Sequence, residues 1–237
     1  SPIDGRYYRH TKPLTEMFSE KALIKYRIKV EAEYLIFLSE HPQIGVRDFS
    51  SDEKNLIRNL ADLSIDDYEI VKAIEIKGYE DIKPTNHDLK AVEYFMKNKL
   101  NDTSLKDSLE WIHFALTSED VNNLAYGLML SDSLERVLLP VVSVVCLKIE
   151  NLARQYKDIP ILARTHGQPA SPTTFGKEFK VFASRLKRQL RQLESFKILV
   201  KLNGATGSYN AHVVAYPIVD WIQFTGDFIE RFNDGIR

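Results

Sequence analysis

The 237 residues include a single cysteine, Cys146, so the chain forms no internal disulfide. Cys146 lies in the apolar run Val144-Val145-Cys146-Leu147 and reads as a small core residue rather than a nucleophile. A lone thiol fits a reducing, cytoplasmic setting. Long hydrophobic runs are missing as well: no apolar stretch is long enough to span a bilayer, and no signal peptide is visible. Charge of one sign is missing, since the net charge is −1, so nothing global points to nucleic acid or a membrane surface. No strand alternation of useful length, P-loop or nucleophile elbow occurs. The six histidines are scattered, and none is paired on one face with another His or a Cys, which removes metal-ligand spacing. With 44% apolar and 27% charged residues, what is left is a globular chain able to bury a sizeable core.

Residues 1–14 hold two prolines and a glycine and read as an irregular arm, in which Arg6 and Tyr7 could contact an anion and a ring or simply be solvated. The wide apolar stripe of Phe18, Ala22, Ile24, Ile28, Tyr34, Leu35 and Leu38 predicts a helix over about 15–40. Ser50 with Glu53 makes a capping box for a helical region over about 51–77, which Gly78 stops. Thr85 with Asp88 resembles another box, opening a helix through Leu89, Val92, Phe95 and Met96. A short helix near 104–114 follows. Thr117 with Asp120 then opens a helix over roughly 119–156, kinked but not ended by Pro140. At helix N-termini the free N–H groups and the dipole favour anions, so His87 stands where a negatively charged ligand could sit; a plain cap with an exposed His is the alternative.

The stretch Ile161-Leu-Ala-Arg-Thr-His-Gly-Gln-Pro-Ala-Ser-Pro-Thr-Thr-Phe-Gly176 separates the two longest helical patterns. Gly167, Pro169 and Pro172 forbid a regular helix there, and Arg164, Thr165, His166 and Gln168 supply donors on a rigid polar loop. An ordinary connection with a solvated His is the other reading. Beyond it, Phe175, Phe179, Phe182, Leu186, Leu190, Leu193 and Phe196 step at bundle spacing and predict a helix over about 174–202. Its other face is basic, with Lys177, Lys180, Arg185, Lys187, Arg188 and Arg191. That face reads as solvated or subunit-facing, and no interleaved aromatics favour nucleic acid. Residues 203–212 break the helix at Gly204 and Gly207, and a last helix is expected over about 217–232.

Five segments now stand together: Ser1-Pro-Ile-Asp-Gly-Arg-Tyr7, Thr85-Asn-His-Asp-Leu-Lys-Ala-Val-Glu-Tyr94, Thr117-Ser-Glu-Asp-Val-Asn-Asn123, Arg164-Thr-His-Gly-Gln-Pro-Ala-Ser-Pro172 and Asn203-Gly-Ala-Thr-Gly-Ser-Tyr-Asn-Ala-His212. In this order they resemble the fumarase/aspartase superfamily, and within it the adenylosuccinate lyase branch. The resemblance implies an all-α fold, an N-terminal helical domain over 1–112 and part of a long central helix bundle over 113–237. It implies β-elimination of fumarate from adenylosuccinate, giving AMP, and from the succinyl-aminoimidazole-carboxamide ribotide (SAICAR), giving AICAR, in purine nucleotide synthesis. It implies no metal or organic cofactor, no nucleic-acid or membrane partner, and a homotetramer whose sites draw on three chains.

Such an elimination needs a base for a carbon-bound proton, an acid for the departing nitrogen, and donors around a carboxylate gaining charge. By the resemblance, His166 is the general acid, with Thr165 beside it and Gln168 orienting the loop. Thr117 and Ser118 hold a succinyl carboxylate. Arg6 and Tyr7 hold the nucleotide, and Asn86, His87 and Asp88 form a substrate-binding segment.

Two departures stand out. The branch's serine base, in a Ser-Ser-x-Met-Pro-x-Lys-x-Asn-Pro segment, is not in this sequence, and Asp81-Ile-Lys-Pro84 replaces an arginine-containing lead. The chain therefore resembles the first half of a family member. A sister lyase acting on another succinyl amine and a helical scaffold using the basic face remain as alternatives. The 237 residues alone are expected to release no fumarate from SAICAR; His166-dependent release would refute this.

Overall fold

The computed structural model describes residues 5–232 and 235–236; residues 1–4 of the N-terminal motif, and 233, 234 and 237 of the closing stretch, lie outside the described residues. Those described fall into two compact units, one drawn from 1–131 and 198–237, the other from 132–197.

In the first unit the chain is helical from the eighth residue, through α1 (Tyr8–Phe18) and α2 (Glu20–Glu40). The expected irregular arm over 1–14 is thus helical from Tyr8 onward. Pro13 lies inside α1 and forfeits a single backbone donor there. The expected helix over 15–40 is broken at Ser19, whose backbone is extended (φ −73°, ψ 163°) and whose hydroxyl accepts the Ala22 N–H at 3.1 Å. Helix α2 is the centre of this unit. Ile28, Val30, Tyr34, Leu35, Ile36 and Leu38 are all buried, so the helix is enclosed on nearly every side.

Around it lie α3 (Ser51–Asn59), α4 (Ile65–Ile76), α5 (Asp88–Leu100), a 3-10 turn at Lys106–Trp111 and α6 (Ser118–Ser133). The Ser50–Glu53 capping box forms as expected. A second box, Ser64 with Asp67, restarts the chain and divides the expected 51–77 region in two. In the same unit are α9 (Asn210–Ala215), which starts within the last residues of the stretch read as helix-breaking, and α10 (Trp221–Glu230). The latter starts at an Asp220 cap, whose carboxylate accepts the Ile222 and Gln223 N–H groups. Its Phe224 and Phe228 meet the Tyr34 ring edge-on, at 6.1 and 5.5 Å between centroids.

As expected, Pro140 does not end the helix, and the structure shows how. It follows a π-helical turn, Leu134–Leu138, in which the Leu139 N–H bonds the Leu134 carbonyl. The wider turn accommodates the ring and the missing donor, so helix resumes as α7 (Leu139–Gln155).

The second unit pairs α7 with α8 (Phe175–Glu194). Gly176 permits this pairing: a Cβ there would stand 2.3 Å from the Ala153 carbonyl oxygen. Between the helices the chain forms an antiparallel hairpin, β1 (Pro160–Thr165) and β2 (Gln168–Thr174), where only a polar loop was expected. Prolines are tolerated because each strand of a two-stranded ribbon is an edge. Helix α8 ends at Ser195, short of the expected 202, because 198–202 belongs to the first unit. There Leu202 is buried in the core and Ile198 bridges Ile236. This second unit buries few side chains of its own, Cys146 among them, and leaves Val141, Val144 and Phe182 more than half exposed.

Candidate active site

The site begins where α5 starts. Thr85 and Asn86 donate their backbone N–H groups to the Ile74 and Glu75 carbonyls, at 3.0 and 2.9 Å. This pins the segment to the end of α4. Asn86 adopts φ +48°, a left-handed conformation that Asn tolerates better than most residues. The cap of α5 is His87, not Thr85: its Nδ1 accepts the Lys90 N–H at 3.3 Å. Asp88 is the first helical residue, too early to close a box with Thr85. Because Nδ1 accepts, the neutral ring carries its proton on Nε2. That atom lies 3.5 Å from the Ser118 hydroxyl, at the start of α6.

Asp88 turns toward the protein. Its Oδ2 accepts the Arg27 Nη2 at 2.6 Å and its Oδ1 the Leu89 N–H at 2.9 Å. Burial alone would raise this carboxyl, but the Arg27 charge and these hydrogen bonds outweigh it and hold it below its ordinary value. Arg27 also donates from Nε to Asn122 Oδ1 at 2.9 Å, reaching α6 from the middle of α2. A cleft of about 370 Å³ opens here, lined by Glu20, Arg27, Glu75, Asn86, His87 and Asp88.

The tip of α6 is fastened by Asp120, which is fully buried. Its Oδ2 accepts the N–H of Thr117 at 3.0 Å and of Gly204 at 3.1 Å. Its Oδ1 accepts Lys201 Nζ at 2.8 Å and the Asn203 N–H at 3.1 Å. Asn123 Oδ1 adds the Lys201 N–H at 2.7 Å. Of the 117–123 motif, Asp120, Asn122 and Asn123 therefore hold the structure, while Thr117 and Ser118 remain partly exposed. The motif over 203–212 is the other half of this clamp. Its His212 is buried against Trp221, 4.8 Å between ring centroids, and burial pushes the imidazole below its ordinary value.

In the second unit, His166 and Gly167 form the two-residue turn between β1 and β2, at φ +49° and +75°. Two consecutive positive φ values mark a type I′ turn, which favours Asn-Gly; His at the first position is a strained choice at an exposed tip. Thr165 and Gln168 pair across the strands directly beneath it, and Arg164 faces Pro169. The structure thus brings His87 and Ser118 together, and gathers Thr165, His166 and Gln168 on one hairpin. Arg6 and Tyr7 contact each other just before α1, the guanidinium 5.6 Å from the ring centroid. Among the described residues no group of three or more His, Cys, Asp or Glu is placed to hold a metal ion.

Sequence reading passed over Arg27 and Glu31, and took Tyr34 only as part of the apolar stripe. Their spacing was the available signal: polar atoms at i, i+4 and i+7 within an otherwise apolar helix. Glu31, 1% exposed, accepts the His113 backbone N–H at 3.1 Å and meets its Nδ1 at 2.5 Å. Tyr34 donates to the Phe114 carbonyl at 3.1 Å. These bonds hold a turn with positive φ at His113 and Ala115, which leads directly to Thr117. Burial lowers the His113 imidazole, but the hydrogen bond and charge of Glu31 more than offset it, so its pKa is raised above the ordinary 6.5. The pair's contribution is therefore full below about pH 6.5 and fades as pH rises through the higher folded value.

The model of a family described as lyase matches residues 5–232. Over 232 residues the chain is 46% identical to an adenylosuccinate lyase of Escherichia coli K12, covering 97% of this chain and 49% of that protein. It is 45% identical over 245 residues to an adenylosuccinate lyase of Dictyostelium discoideum, covering 100% of this chain and 51% of that one. The chain thus spans about half the length of the curated relatives it matches. Among solved structures, a fumarate lyase from Mesorhizobium sp. BNC1 superposes with a TM-score of 0.72 at 20% identity, over 95% of this chain and 48% of that one. A beta-carboxy-cis,cis-muconate cycloisomerase from Acinetobacter calcoaceticus gives 0.68 at 20% identity, over 93% and 48%. Likeness at this identity supports the shared fold alone.

His113→Ala leaves the Glu31 carboxylate buried without its imidazole and is expected to cost roughly 3 kcal/mol of stability near pH 6. Urea denaturation of both proteins across pH 6 to 9 checks this. The deficit should shrink as pH rises; a deficit that grows contradicts the assignment.

Proposed function

The chain belongs to the lyase family, and from that premise we propose that the whole protein is an adenylosuccinate lyase. It releases fumarate from adenylosuccinate to give AMP, and from SAICAR to give AICAR. The observation that carries the reading is the approach of His87 to Ser118 at the N-termini of α5 and α6. Both lie within segments that match adenylosuccinate lyases, and a doubly charged succinyl group suits two helix N-termini.

In this reading the proton leaves the carbon beside a succinyl carboxylate. The electrons left behind form the fumarate double bond, and the C–N bond pair passes to the nitrogen. His166 protonates that nitrogen as general acid. Its exposed position at a strained turn supports the assignment, because the strain has no structural return there. Thr165 and Gln168 fix the turn from below. Thr117 and Ser118 bind a carboxylate, whose charge grows as the proton departs. Asn86, His87 and Asp88 complete the binding segment, and Arg6 with Tyr7 takes the phosphate and the base. The reaction's base is assigned to no residue of this chain.

We also assign a homotetramer, a cytoplasmic setting and a division at residue 112 between N-terminal and bundle domains. The open apolar stripe of α7, with Val141 and Val144 exposed, supports self-association, because the second unit has too little core to stand alone. Fumarate release from adenylosuccinate by the full-length protein, followed by absorbance, tests the activity, and sedimentation at the mass of four copies tests the assembly. His166→Gln should lower kcat by about 10²- to 10⁴-fold with little change in KM. Undiminished turnover in His166→Gln overturns its role as the acid, and no turnover by the unmodified full-length protein overturns the activity.

A further inference from the structure

We propose that Arg27 is a positioning residue that sets the separation of the α5 and α6 tips, and through it the gap between His87 and Ser118 in which a carboxylate is held. The inference rests on the reading of the preceding subsection. Arg27 is 4% exposed and rises from the middle of α2, the most enclosed helix of its unit. One edge of its planar guanidinium serves both tips: Nη2 reaches Asp88 at 2.6 Å and Nε reaches Asn122 at 2.9 Å. Asp88 adjoins His87 in the chain, and Asn122 lies one helical turn beyond Ser118. A rigid fork thus joins the neighbours of the two groups that face each other.

The resulting gap has a useful size. At 3.5 Å, His87 Nε2 and Ser118 Oγ are at the limit of a direct hydrogen bond. They are close enough to share one oxygen ligand, each donating to it, where the positive ends of two helix dipoles meet. Arg27 does not itself take the ligand, because Asp88 already neutralises it. Nor does stability explain the buried guanidinium, since a well-packed apolar side chain of similar volume often does as well. What the fork supplies is geometry. A lysine at this position keeps the charge but offers a single nitrogen on a flexible stem, unable to replace two fixed donors.

The test uses the full-length protein, its Arg27→Lys and Asn122→Ala variants, and NMR of the His87 ring without substrate. Arg27→Lys should raise KM for adenylosuccinate at least about tenfold, with kcat within about threefold, and should shift the His87 ring signals. Asn122→Ala removes one prong and should produce the same pattern at smaller size. It decides the matter if Arg27→Lys does not fold. Unchanged KM and unchanged ring signals in a folded variant overturn the inference and leave the lyase reading intact. A wild-type protein without turnover sinks that reading instead, and the ring signals then decide on Arg27 alone.

Discussion

A single buried carboxylate holds the first unit's functional end together. Asp120 has no access to water, and its two oxygens receive Thr117, Asn203, Gly204 and the Lys201 ammonium. A carboxylate in such a place is tolerable only when its lone pairs are filled, and here they are filled from two distant stretches of chain. Each charge-assisted bond is worth about 1.5–3 kcal/mol, so the group cannot let go of one stretch without exposing its debt to the other. The α6 tip and the glycine-containing segment over 203–204 are thereby fixed to each other before any ligand arrives.

Helix α2 extends the same principle. It is buried nearly all round, yet its Arg27, Glu31 and Tyr34 project along one line to Asp88, Asn122, His113 and Phe114. Buried polar groups of this kind demand specific partners, so they fix orientation more sharply than apolar packing does. The second unit follows another rule. Its hairpin and helix pair bury little, and its apolar stripe stays open to solvent.

Much of this was legible in the sequence, and the failures have physical causes. Helical periodicity located α2, α6, α7 and α8, because an apolar stripe is a local property. Boundaries were missed where one side chain decides them: Ser19 and Ser64 each cap a new helix within what read as one. The hairpin was hidden because β1 and β2 are mostly exposed and rich in proline, so they lack alternation. The end of α8 was overextended because the chain beyond Ser195 is claimed by the core of the other unit, a long-range effect. His87 was visible as a candidate from its place at a helix start, and Thr117 and Ser118 from the family resemblance. Asp120 read as a cap and proved to be a clamp, since besides Thr117 its partners Lys201, Asn203 and Gly204 lie more than eighty residues away.

The central claim is that Asp120 organises the tip in the free protein. Amide hydrogen exchange of the ligand-free full-length protein tests it directly, by following Thr117, Asn203 and Gly204. If the clamp is real, the three amides exchange slowly, and Asp120→Asn accelerates all three together. Rapid exchange at Thr117 in the unmodified protein, or acceleration of one amide without the others, would contradict it.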